Sequence, residues 1–179
     1  MKSGVILILM FLSLSSYAQE SERLTFSKVI PVENVDSKSI FVALKEWFGM
    51  NFVSAKSVIE VEDKEAGLII GNSQVPYSKG GLSYSAYSAN LKYTLKIQIK
   101  DNRFKITVSN FLHEGTQNPN YELGILTTAE TFTNKGMNKK FHNNVWADLK
   151  IKAEEIANKY FLDFSNIKIK SSQGSEDDW

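Results

Sequence analysis

The segment from Leu91 to Phe111 limits the possible fold most strongly, because apolar and polar residues alternate along it on both sides of Asp101-Asn102. Such alternation gives a β-strand one dry face and one solvated face. A two-residue loop at Asp101-Asn102 sets a register in which every apolar residue meets an apolar one. The predicted pairs are Lys100 with Arg103, Ile99 with Phe104, Ile97 with Ile106, and Leu95 with Val108. The sequence therefore predicts an antiparallel hairpin with a type I′ turn, since Asp and Asn both tolerate a positive φ.

A short apolar run at the start of the sequence predicts export. Residues 5–14 are almost entirely apolar, Lys2 precedes them, and Ser16 and Ala18 are small residues just before Gln19. This is the pattern of a cleaved signal peptide, whereas a membrane-spanning helix needs roughly 20 apolar residues. We expect residues 1–18 to be removed near Ala18-Gln19, which places the mature chain in the periplasm or outside the cell without a membrane span.

Composition excludes several classes of protein. The chain has no cysteine, so it can form neither disulfides nor thiolate metal sites, and it lacks the residue that anchors a bacterial lipoprotein. The sequence has 21 basic and 20 acidic side chains, and loss of Lys2 with the leader makes the two numbers equal. A neutral balance disfavours nucleic acid and anionic membranes as partners. The remaining length suits a single domain over residues 19–170, followed by a disordered acidic tail over residues 171–179.

Elsewhere the patterns predict two amphipathic helices and three further strands. The first helix begins after Asp36 as N-cap, with Val35 and Ile40 as an apolar staple, and ends near Gly49. The second runs from about residue 138 to residue 162, a length of about 37 Å. The further strands cover residues 24–30, 58–62 and 67–75. The resulting order is β-α-β-β-β-β-α, an α+β fold with an antiparallel five-stranded sheet and both helices packed on one face.

Two sets of residues are candidate ligand contacts. The helices leave one sheet face in water, and the basic side chains of the hairpin point toward it: Lys92, Lys96, Lys100, Arg103 and Lys105. Residues 72–90 are rich in Ser, Gly and Tyr, which is typical of a long excursion between strands or of a loop that contacts a ligand. The tyrosines that such a loop would present are Tyr77, Tyr84 and Tyr87.

Acidic and histidine residues offer few catalytic combinations. Glu60 and Glu62 are predicted on one strand face with carboxylates about 7 Å apart, either as an acid/base pair of the glycosidase kind or as solvated acids beside lysines. His113, Glu114 and Glu122 could in principle ligate a divalent metal, but they fit no recognised ligand spacing and are predicted as solvated loop residues, so we expect no metal site and no cofactor. No motif places a serine or cysteine nucleophile.

Histidine is also found on the second predicted helix. His142 and Asp148 lie too far apart around that helix to form a catalytic pair. We expect His142 at the surface.

Four stretches together resemble a known family. They are residues 26–32 (FSKVIPV), Ile40-Phe41 with Lys45-Glu46-Trp47, residues 65–71 (EAGLIIG), and Tyr93-Thr94-Leu95 with residues 100–105 (KDNRFK). They are similar to domain of unknown function 4468, a family of exported bacterial proteins with a TATA-binding-protein-like fold. The resemblance covers roughly residues 24–111 and implies this fold. It supplies no catalytic residues, and a fold shared with a DNA-binding protein does not imply DNA binding.

Three functional hypotheses follow. The first is an exported, non-enzymatic binding or envelope-associated domain that meets an extracellular or envelope ligand through its open sheet face or its tyrosine-rich loop. The second is a hydrolase acting on a polysaccharide or peptide through Glu60 and Glu62 or through His113-Glu114. The third is a structural subunit that self-associates through a sheet edge.

Overall fold

The computed structural model describes residues 21–52, 58–132 and 139–169. Its strands and helices, in chain order, are β1 (Phe26–Pro31), α1 (Ser37–Asn51), β2 (Ile59–Asp63), β3 (Leu68–Tyr77), β4 (Ala89–Lys100), β5 (Arg103–Glu114), β6 (Gly124–Ile125) and α2 (Lys139–Ser165). This confirms the predicted α+β order and adds one two-residue strand. The predicted leader and acidic tail lie outside the described residues.

The sheet is antiparallel, with strand order β1-β5-β4-β3-β2 and β6 paired to β5. All four predicted hairpin pairs are present: Lys100 with Arg103, Ile99 with Phe104, Ile97 with Ile106, and Leu95 with Val108. The turn type differs from the prediction. A type I′ turn needs a positive φ at both central residues, but only Asn102 has one, at 64°.

A β-bulge interrupts the second half of the hairpin. Lys92 pairs with Leu112 while Thr94 pairs with Ser109, so β5 carries one extra residue there. Asn110, at φ 55°, lies in this bulge. The extra residue reverses the alternation, which places Phe111 in the core and Leu112 on the opposite face. Strand β5 therefore continues to Glu114, beyond its predicted end.

Both helices pack on the same side of the sheet, as predicted. Trp47 of α1 lies against Phe164 of α2 with ring centroids 4.3 Å apart, and Phe164 also meets Phe104 of β5. Helix α1 is capped as expected, because Asp36 Oδ1 accepts the Ser39 N–H at 2.9 Å. It continues two residues past Gly49, to Asn51. Neither helix within the described ranges has an apolar stretch long enough to cross a bilayer.

Two local predictions about exposure and extent are wrong. The excursion between strands covers residues 78–88 rather than 72–90, since β3 continues to Tyr77 and β4 begins at Ala89, and it contains a 3₁₀ turn over Leu82–Tyr87. His142 is only 7% exposed rather than a surface residue, because its ring stacks on Phe132.

Candidate functional site: the open face of the sheet

The sheet face that points away from the helices, called the open face below, carries all five predicted basic side chains. In β4 the apolar residues from Leu91 to Ile99 are buried, while the intervening residues are exposed or half-buried. Strand β5 repeats this pattern up to the bulge. The hairpin therefore contributes one apolar and one polar surface, as the alternation predicts.

Four of the five cations form a cluster at the hairpin end of the open face, called the basic patch: Lys96, Lys100, Arg103 and Lys105. Lys100 lies directly opposite Arg103 across the two strands. None of the four takes part in an ion pair within the residues that the structure describes. Lys92 differs, because its Nζ lies 2.5 Å from Glu114 Oε1. Its charge is therefore already balanced.

A small hollow lies within the basic patch and adds apolar surface to it. Its volume is about 230 Å³, and it is lined by Val29, Gln98, Lys100, Arg103, Phe104 and Lys105. Val29 of β1 is paired with Lys105 and is 55% exposed. A ligand at the patch can therefore meet both positive charge and aliphatic surface.

A larger depression, called the bulge groove, crosses the open face beside the β5 bulge. Its volume is about 650 Å³, and it is lined by Val58, Glu60, Asn72, Ser73, Gln74, Lys92, Tyr93, Thr94, Asn110, Leu112 and Ile125. Three of these residues form a chain of hydrogen bonds. Asn110 Nδ2 donates to Thr94 Oγ1 at 3.3 Å, and Thr94 Oγ1 donates to Asn72 Oδ1 at 2.8 Å.

Sequence reasoning did not find this groove, because its shape depends on the bulge. The available signal was the break in alternation at Ser109-Asn110, where two polar residues follow each other. Bulges are frequent beside functional sites, since they redirect a side chain out of the strand pattern. Here Arg23 Nη1 donates to Asn110 Oδ1 at 3.0 Å, which fixes the redirected amide.

The predicted acid pair is wrong in its geometry, because Glu60 and Glu62 lie on opposite faces. Ile59 pairs with Gly71 and Val61 with Ile70, so a second bulge falls between them and β2 changes face. Glu60 lines the bulge groove on the open face. Glu62 points toward the helices and forms an ion pair with Lys45 of α1. The two carboxylates therefore cannot act together on one substrate.

The predicted loop histidine is instead a core residue. His113 belongs to β5 and is 0% exposed. Its Nε2 lies 3.0 Å from the Tyr87 carbonyl, and its Nδ1 accepts the Leu123 N–H at 3.2 Å. Burial lowers the pKa of His113, despite the opposing effects of the Tyr87 carbonyl and the Glu122 charge. Within the described ranges, no three histidine or acidic side chains come together as a metal site would need.

Two of the three tyrosines expected at a ligand loop are also buried. Tyr77 donates to Asp148 Oδ2 of α2 at 2.7 Å, and Tyr87 is 1% exposed. Burial, together with Asp148, raises the pKa of Tyr77, and burial raises that of Tyr87. Tyr84 is half-buried and accepts a hydrogen bond from Asn144 Nδ2 at 2.9 Å. This segment therefore packs against α2, and of its three tyrosines only Tyr84 keeps substantial exposed surface.

Comparison with known proteins identifies the fold. Residues 26–114 match the family model described as a domain of unknown function (DUF4468) with TBP-like fold. A DUF4468 family protein from Bacteroides ovatus is 16% identical, with 85% of this chain and 90% of that chain covered at a TM-score of 0.56. A TBP-like protein from Parabacteroides distasonis is 19% identical, with 82% and 95% covered at a TM-score of 0.51. A search of curated proteins gave no match.

Proposed function

The chain belongs to the DUF4468 family through residues 26–114, and on that premise we propose that it is an exported, non-enzymatic binding domain whose open face binds an anionic polymer. The TBP-like fold supplies the layout, in which helices cover one face of the sheet and leave the other open. Fold does not determine function, so the proposal depends on the side chains of the open face.

The observation that carries the proposal is the unpaired charge of the basic patch. Like charges directly opposite each other on neighbouring strands destabilise a sheet. Lys100 and Arg103 are such a pair, because they lie directly opposite each other on β4 and β5. Lys96 and Lys105 add two more cations on the same face. A bound polyanion would relieve this repulsion and gain electrostatic complementarity. Binding thus gives a physical reason for an arrangement that is unfavourable without a ligand.

A binding role is favoured over a hydrolytic one by the layout of the acids. Glu60 and Glu62 point to opposite sides of the sheet, and His113 is buried and held by backbone groups. A hydrolase needs its acid and base on one substrate. Export is supported by the signal-peptide pattern of residues 1–18.

Charge reversal on the open face tests the proposal. The probe is polygalacturonate, an anionic polymer, titrated into the chain from Gln19 onward at low ionic strength. We expect Lys96→Glu with Lys105→Glu to weaken binding by about tenfold or more, because each change replaces an attraction with a repulsion. Added salt should weaken wild-type binding as well.

The matched control carries the same charge change on the helical side. Lys38 and Lys140 are both exposed, so Lys38→Glu with Lys140→Glu alters net charge equally without touching the open face. We expect this variant to bind like the wild type. Equal loss in both variants, or no binding of the wild type up to millimolar polymer, would overturn the proposal.

Export has a separate test. Expression of the full sequence in a bacterial host should yield a protein outside the cytoplasm whose N-terminal residue is Gln19. Recovery of a cytoplasmic chain that still carries Met1 would contradict export.

A further inference from the structure

The bulge groove adjoins the basic patch, so that one extended ligand can occupy both. Thr94 of the groove and Lys96 of the patch are two residues apart on β4 and share the open face. Their Cα atoms are therefore about 7 Å apart. The next cross-strand pair toward the groove is Asn72 with Thr94. A polymer bound at the patch reaches these polar side chains within about two extended amino acid residues, or a comparable length of glycan.

The groove offers side-chain groups that both donate and accept hydrogen bonds. Asn72, Gln74 and Asn110 each carry an amide, and Thr94 carries a hydroxyl. The backbone groups of β4 beneath them are engaged on both sides, by β3 and by β5. A ligand on this face must therefore bind through side chains. A polypeptide that binds a sheet typically pairs with an edge strand through its backbone, whereas the centre of the groove on β4 lies between β3 and β5, away from the edges at β2 and β6.

The charges of the groove differ from those of the patch. Glu60 is an exposed carboxylate that lines the groove, and Lys92, which also lines it, is paired with Glu114. An acidic group of the ligand would be repelled by Glu60, whereas a hydroxyl can donate to it. Val58, Leu112 and Ile125 add aliphatic surface suited to the C–H faces of a sugar ring. The groove thus favours a neutral, hydroxyl-rich unit, while the patch favours an anionic one.

We infer that the anionic polymer is a polysaccharide whose acidic groups bind the basic patch and whose sugar hydroxyls hydrogen-bond to Asn72, Thr94 and Asn110 in the bulge groove. This inference rests on the proposed function and adds selectivity for glycan over polypeptide. The groove volume of about 650 Å³ lies within the range of small-ligand sites, which is enough for one or two sugar units.

Two anionic polymers with different backbones distinguish the contribution of the basic patch from that of the bulge groove. Binding of polygalacturonate and of poly-L-glutamate is measured for the wild type and for Asn72→Ala, Thr94→Val and Thr94→Ser. We expect Asn72→Ala and Thr94→Val each to weaken polygalacturonate binding by about fivefold while leaving poly-L-glutamate binding unchanged, because only the sugar uses these groups. Thr94→Ser keeps the hydroxyl and should keep binding.

Controls separate this inference from the proposed function. Ser27→Ala removes an exposed hydroxyl of β1 outside the groove and should change neither affinity. Lys96→Glu with Lys105→Glu should weaken binding of both polymers. If the groove variants weaken both polymers equally, or weaken neither, selectivity for glycan is overturned while the basic patch stands. If the charge reversals also have no effect, the proposed function itself fails.

Discussion

Asn102 and Val35 are joined by two hydrogen bonds that tie the hairpin turn to the loop before α1. The Asn102 backbone N–H donates to the Val35 carbonyl at 2.9 Å, and the Val35 N–H donates to Asn102 Oδ1 at 3.3 Å. Val35 is buried, so these groups are partly shielded from water. Asp101 strengthens the same junction, because its Oδ1 accepts the Ser37 N–H at 2.8 Å. The turn that closes the hairpin therefore also positions the start of the helix.

Replacement of Asn102 tests this junction. Asn102→Ala loses the bond from its side chain to Val35 and places an alanine at φ 64°, so we expect the free energy of unfolding to fall by about 2 kcal/mol. Asn102→Gly tolerates that φ and loses only the side-chain bond, so its cost should be about 1 kcal/mol or less. Urea denaturation measures both. Equal stability of the two variants would contradict the role of the backbone conformation.

His113 makes stability depend on pH. Because burial lowers its pKa in the folded state, the unfolded chain binds the proton more readily between the folded pKa and the unfolded value of about 6.5. The stability that neutral His113 contributes is fully present at pH values above the pKa of the unfolded state. It is lost as the pH falls from that pKa to the lower pKa of the folded state. Protonation would also place a hydrogen on Nδ1, which now accepts the Leu123 N–H.

The comparison of wild type with His113→Gln isolates this effect. The variant has no titrating group at position 113, so its free energy of unfolding should change less than that of the wild type between about pH 7.5 and pH 5.5, a range that spans the ordinary histidine pKa. Carboxylates contribute alike to both proteins over this range. Parallel stability curves for the two proteins would refute the assignment.

The sequence allowed the hairpin register to be predicted but not the bulges. Facing pairs such as Ile97 with Ile106 are specified by alternation, since any one-residue slip would expose apolar side chains. The bulges at Glu60 and Asn110 each insert one residue, but only the second is accompanied by a break in alternation, at Ser109-Asn110, whereas Ile59 to Glu62 alternates without a break. For this reason Glu60 and Glu62 were wrongly assigned to one face. The basic patch could be predicted because it lies between the hairpin turn and the β5 bulge.

The burial of several polar and tyrosine side chains was the other feature that could not be predicted from the sequence. Ser- and Gly-rich surroundings suggest a loop, yet Tyr77 and Tyr87 are buried because the segment packs against α2. Likewise, the sequence around His113 is typical of a loop, but the bulge directs its side chain toward the core. Burial of such residues depends on contacts between elements distant in sequence, which local patterns do not encode.

The contact between Tyr77 and Asp148 should contribute measurably to stability. Burial alone would raise the pKa of Asp148, but hydrogen bonds from Lys79 and Tyr77 outweigh it and lower that pKa. Asp148→Ala leaves the buried Tyr77 hydroxyl without its acceptor and should cost about 2 kcal/mol. The control Asp163→Ala removes an exposed pair with Lys159 and should cost less than about 0.5 kcal/mol. Thermal or urea unfolding at neutral pH would show whether the two costs differ.

The most direct test of the central claim is to locate the bound polymer by backbone NMR. In a titration of the chain from Gln19 onward with polygalacturonate, we expect the largest amide shift changes in β4 and β5, around Lys96, Lys100, Arg103 and Lys105, with further changes at Asn72 and Thr94. Amides on the outer surfaces of α1 and α2 should not move. Changes confined to the helices, with the open face unaffected, would contradict binding of the polymer at the open face.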